Sequence, residues 1–191
     1  MPKSIVVLAV PHQLQGPNFH GYIDDPSYSK LLKDLIADGV DFVFEEAAGR
    51  GPSTVENLAN SILGAEHYLD FDPTSGERGK FGIAAQTGGG YPIDLFQRVE
   101  PGVYADTVEF SILAEQQKRE KLWAKRVVEQ PFTKGIAICG LAHGLSFSFE
   151  LERAGLDVGD ARTYIPYHKF CNRAHVKWPA ASDPARTLLD T

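Results

Sequence analysis

Cysteine is nearly absent: 191 residues carry two, Cys139 and Cys171. Two cysteines cannot build a disulfide scaffold, and Cys139 sits inside an apolar run, so a reducing, cytoplasmic setting is expected. No apolar stretch is long enough to cross a bilayer, which argues against a membrane role. The opening MPKSIVVLAVPHQ looks superficially like a signal peptide. It has no small-residue cleavage site and runs into Pro11 and His12, so it reads as a first core strand. Basic excess is missing too: the formal charge is −6, the opposite of a nucleic-acid-binding surface. Neither GxGxxG after the first strand nor GxxxxGK[ST] occurs, which weakens a nucleotide enzyme. GLSFS at 144–148 lacks the GxSxG elbow of a serine hydrolase.

What remains is ordinary globular material, 43% hydrophobic and 23% charged, sized for one domain. SIVVLAV (4–10) is a short β-branched run, a strand buried on both faces. After a polar loop, residues 27–39 place Tyr28, Leu31, Leu32, Leu35 and Ile36 at helical spacing, with Ser27 as N-cap and Gly39 as stop. VDFVFEE (40–46) is a second strand. Ser53 and Glu56 form a capping-box pattern at the head of a second helix. HYLDFDP (67–73) is a shorter third strand. Residues 74–105, with Gly88–Gly90 and several prolines, read as a loop or lid. A long helix follows over 106–130, then a strand at GIAICG (135–140), a helix in LSFSFELERAG and a strand at 161–167. Residues 171–191 read as an irregular tail beyond a single domain over 1–170.

Alternating strands and helices predict an α/β fold: a mainly parallel sheet of about five strands with helices on both faces. Such a sheet gathers its strand ends along one edge, where ligands bind. The four principal strands end at His12, at Glu45 and Glu46, at Asp70 and Asp72, and at His143. Each alone is more often a structural histidine, a helix cap or a solvated acid. Together, two imidazoles and a carboxylate on one edge make a mononuclear metal site or an acid–base set. Glu45 and Glu46 point to opposite faces, so at most one enters the crevice. Gly140 allows a sharp turn or close backbone approach before His143, and Pro11 stiffens the exit toward His12. On the long helix, Ile112, Gln116, Arg119, Trp123 and Val127 form one stripe. An arginine there either meets a carboxylate such as Glu45 or Glu46, or reaches out to solvent along its aliphatic stem.

The pieces IVVLAVPH, DFVFEE, REKLWAKRV and GIAICGLAH, in that order, resemble the TraB/TIKI and erythromycin esterase/ChaN-like superfamily. The resemblance implies a metal-dependent hydrolytic site built on two Gly-x-x-His motifs and a glutamate. Gly140 to His143 matches the second motif. The first departs, with Ala9 where the glycine should stand before His12. Glu45 takes the glutamate by position, with Glu46 beside it, and Arg119 matches the helix arginine. Other members of this superfamily look like metal-free macrolide esterases or haem-iron binders.

Two function classes follow. One is a small hydrolase of a small-molecule or peptide substrate. In its metal form, His12, Glu45 and His143 hold a divalent ion. In its metal-free form, His12 or His143 is the base, Glu45 orients it, and Arg119 steadies the oxyanion. His20, Asp72 and Gly140 are candidate substrate contacts. The other class is a non-catalytic module that binds a small ligand or metal at the same edge, or a protein-interaction domain using the charged face QQKREK (116–121).

Overall fold

The computed structural model describes residues 2–83, 106–159 and 161–164, with side chains of the long helix from residue 115 onward. Five of its strands lie in the order β3-β2-β4-β1-β5. They are β1 Ser4–Val10, β2 Phe42–Glu45, β3 Tyr68–Asp70, β4 Lys134–Gly140 and β5 Asp157–Val158, with β6 Arg162–Thr163 also pairing with β1. Every described pairing is parallel. The α/β architecture read from the alternating pattern is therefore the one adopted.

Among the described residues, five α-helices accompany the sheet: α1 Pro26–Ala37, α2 Thr54–Ile62, α3 Ser75–Arg78, α4 Asp106–Val128 and α5 Gly144–Arg153. The twofold alternation of each strand divides the core into two layers. Val7, Ala9 and Phe44 pack with Trp123 and Val127 of α4 and Phe147 and Leu151 of α5. Leu8, Val10, Val43 and Ile138 pack on the opposite face with Leu32 of α1 and Val55 and Ala59 of α2. Both faces of the central strands are thus covered, which is why their sequences run apolar without a break.

Local signals explain most helix ends. Ser53 accepts the Glu56 N–H at 2.8 Å, and the Glu56 carboxylate reaches back to the Ser53 N–H, completing the expected capping box. Gly39 follows α1 at φ +87, a conformation glycine adopts freely. The α1 cap itself differs from expectation. Asp25, not Ser27, receives the Ser27 and Tyr28 N–H groups, and Pro26 occupies the first helical position, where a missing N–H does no harm.

The third strand is shorter than 67–73, although the Phe71 N–H still reaches the Glu45 carbonyl at 2.9 Å. The Asp70 carboxylate accepts the N–H groups of Ala47, Ala48 and Gly49, tying the end of β3 to the loop after β2. Part of the expected loop at 74–105 is helical: α3 and a turn at Gly79–Phe81. The Gly88–Gly90 run, residues 165–167 of the expected last strand, and the tail at 171–191 lie outside the described residues. Among the described residues, no helix is long and apolar enough to cross a membrane.

Candidate functional site

Strand order brings the chemistry together. β4 lies between β1 and β2, so the residues following these three strands share one edge of the sheet. His12 opens a helical turn one residue beyond Pro11, Glu46 follows β2, and His143 stands at the head of α5 after the Gly140 turn. The Glu46 N–H donates to the Ile138 carbonyl at 2.9 Å, extending the β2–β4 ladder and fixing the glutamate's direction.

The Glu46 carboxylate is the hub. Its Oε1 lies 3.9 Å from Nε2 of His12 and 3.9 Å from Nε2 of His143, and it accepts Nη2–H of Arg119 at 2.9 Å. Its Oε2 accepts the Gly140 N–H at 2.8 Å. Burial alone would raise the Glu46 pKa, but His143, His12, Arg119 and the Gly140 N–H outweigh it and hold the acid below its ordinary value. Gly140 has a second duty. A Cβ there would stand 2.5 Å from His12 Nε2, so only glycine leaves room for that ring.

Each ring is held from behind. His143 Nδ1 meets Glu120 Oε1 at 2.7 Å, and Ser146 Oγ donates to the same oxygen at 2.7 Å. The Trp123 ring stands edge-on to His143 with centroids 4.9 Å apart. His12 Nδ1 meets the side-chain oxygen of buried Gln15, and its face lies parallel to Phe19 at 6.0 Å. The His12 side chain is 41% exposed and that of His143 is 6% exposed, so solvent reaches the first ring and hardly the second.

Behind Glu46 lies a buried ion network. Asp72 Oδ2 accepts from Arg119 at 3.0 Å and from Arg78 at 2.8 Å, while Asp72 Oδ1 accepts Nε1–H of Trp123 at 2.9 Å. Desolvation lowers the Arg119 pKa, yet Glu46 and Asp72 together carry it above its ordinary value. Arg78 is lowered by desolvation, and its Nη1 has no hydrogen-bond partner among the described residues. Asp72, one of the candidate substrate contacts, anchors these two arginines. Arg119, expected to steady an oxyanion, spends its Nε and Nη2 on Asp72 and Glu46. It points inward, as the stripe reading allowed.

Glu45 departs most from its expected place. Its carboxyl lies on the α1–α2 side of the sheet, where Ser53, Tyr68 and Gln15 hydrogen-bond to it. Burial raises its pKa to about 8, against the opposing pull of those donors. The glutamate beside the histidines is Glu46, because successive strand residues face opposite ways. The metal set His12, Glu45 and His143 therefore does not converge. Glu46 is the glutamate that faces both imidazoles, with one oxygen accepting from Arg119 and the other from the Gly140 N–H. Among the described residues, no group of three or more His, Cys, Asp or Glu side chains could hold a metal ion.

His20 is exposed on the first loop and makes no contact that ties it to Glu46. The segment 116–121 is not a uniformly solvated face either, since Arg119 and Glu120 are both buried. Sequence reasoning missed Gln15 and Glu120. Glu120 lies three residues before Trp123 and seven before Val127, so widening the helical stripe to its usual breadth would have included it. Gln15 follows His12 by three, the spacing that brings side chains together on a helical turn. The chain matches no protein-family model, no curated protein and no solved structure.

Proposed function

We propose that the protein is a small metal-free hydrolase, with His12 as general base, acting on an ester or peptide substrate of the kind its superfamily resemblance implies. One observation carries this reading: two imidazoles from distant parts of the chain present Nε2 to the same buried carboxylate oxygen, each at 3.9 Å. In the reaction, His12 takes a proton from water at Nε2 while the water oxygen bonds to the substrate carbonyl carbon. As the tetrahedral adduct collapses to the acid, the bond to the leaving group breaks and the His12 imidazolium returns its proton from Nε2 to that group, which restores the neutral ring. The Glu46 carboxylate, held by Arg119 and the Gly140 N–H, favours the protonated ring as it forms. Buried His143 presents its Nε2 to the same Glu46 oxygen and helps hold that carboxylate beside His12.

Activity screens on ester and peptide panels test the reading. His12→Ala and His143→Ala should each lower turnover by about 10²–10⁴-fold with the fold intact by circular dichroism. Turnover unaffected by either substitution would remove the histidines from the chemistry. Tight binding of a panel member without turnover would identify a binding module instead.

A further inference from the structure

We infer that Gln15 is a positioning residue that fixes the hydrogen of His12 on Nδ1 and so leaves the Nε2 lone pair free toward Glu46. As a statement about catalysis this rests on the hydrolase reading; as a statement about the ring it stands alone.

The inference follows from which atoms can only accept. Gln15 is fully buried and its amide has neighbours at both ends. One end touches the Glu46 main-chain carbonyl at 3.2 Å and Glu45 Oε1 at 3.1 Å; the other touches His12 Nδ1. A main-chain carbonyl cannot donate, so the end facing it must be the NH2 group. The amide oxygen then faces His12. That oxygen also cannot donate, so the hydrogen of the contact belongs to Nδ1. In the neutral ring Nε2 is then bare, at 3.9 Å from Glu46 Oε1. Turning the amide over would set its oxygen against the Glu46 carbonyl and leave that buried carbonyl without the donor it now has.

The clamp is held in place by the main chain as well. The Gln15 carbonyl accepts the Thr54 N–H at 2.6 Å at the head of α2. Gly16 runs so close to Ser53 that an added Cβ would lie 2.9 Å from Ser53 Cα. Glu45 thereby acquires a use from the far side of the sheet: it is one of the two acceptors that orient Gln15. His143 reaches the same hydrogen placement by a different route, through the acceptor oxygen of Glu120.

Nitrogen-15 NMR of the wild-type protein, labelled at histidine, reads the hydrogen position directly. The expected result is the Nδ1–H form for the neutral His12 ring; a ring protonated on Nε2 overturns the inference. In Gln15→Leu, which has neither donor nor acceptor, the ring should move toward the Nε2–H form that free histidine favours in water. An unchanged spectrum there also overturns it. If Gln15→Leu does not fold, the wild-type spectrum still decides. Kinetics separate the two readings: a His12 ring with Nδ1–H and no turnover on any panel sinks the hydrolase reading and leaves the Gln15 assignment standing. If turnover exists, Gln15→Leu should lower kcat more than it raises KM.

Discussion

Glu45 and Glu46 are consecutive residues whose carboxyl groups lie on opposite sides of the sheet, one among Ser53, Tyr68 and Gln15, the other between two imidazoles and Arg119. The pleat sets the side each takes, and the neighbours set the charge. On the α1–α2 side the acid's hydrogen-bond donors are neutral and Asp70 adds a like charge, so burial dominates and its pKa rises to about 8. On the α4–α5 side the histidines and a guanidinium overcome the same burial, and the pKa falls.

That contrast predicts a pH signature. Because the folded pKa of Glu45 exceeds its ordinary 4.5, the folded chain binds the proton more tightly than the unfolded chain. Its contribution is complete below pH 4.5 and declines by about 1.4 kcal/mol per unit as the pH rises toward about 8. Glu45→Gln keeps the shape and removes the titration. Urea midpoints should show this variant more stable than wild type at pH 8, with the difference shrinking toward pH 5. Equal differences at both values would contradict the assignment.

Arg119 joins two buried acids, Glu46 and Asp72. Arg119→Met should destabilise by about 3–5 kcal/mol, because both carboxylates lose a partner they cannot replace with water. Arg119→Lys should recover only part of this, since one ammonium cannot reproduce the paired Nε and Nη2 contacts. The depressed Glu46 pKa contributes stability above the ordinary 4.5 that is lost as the pH falls, so the acid limb of the wild-type curve should weaken in Arg119→Met. Thermal melts across pH 3–7 would measure both effects.

A methyl group at Gly140 would collide with His12 Nε2. Gly140→Ala should therefore displace the ring, costing about 1–3 kcal/mol of stability and about 10²-fold in turnover. The clash has one partner. In a double-mutant cycle, the stability cost of Gly140→Ala should nearly vanish in a His12→Ala background. Additive losses would locate the strain elsewhere.

Glu120→Gln preserves an oxygen able to accept from His143 Nδ1 and Ser146 Oγ but removes the negative charge. Its melting temperature should stay near that of wild type, while turnover falls by about 10- to 100-fold. If melting temperature and turnover drop together, Glu120 serves the fold alone.

The sequence by itself determined the α/β architecture, the strands β1, β2 and β4, and the capping box at Ser53 and Glu56, because apolar runs, turn residues and caps act over a few neighbours. It also set the candidate residues at the strand ends and let only one of the two adjacent glutamates face the histidines. Which glutamate it was, the inward turn of Arg119, and the support given by Gln15 and Glu120 were decided only by tertiary structure. Those outcomes depend on β4 lying between β1 and β2, and on α4 packing over the face that carries Glu46. Contacts between residues as distant as Glu46 and Arg119, or Gln15 and Glu45, have no local pattern to announce them. They arise when strands far apart in the chain become neighbours, and burial then favours a partner for a charge or a polar hydrogen.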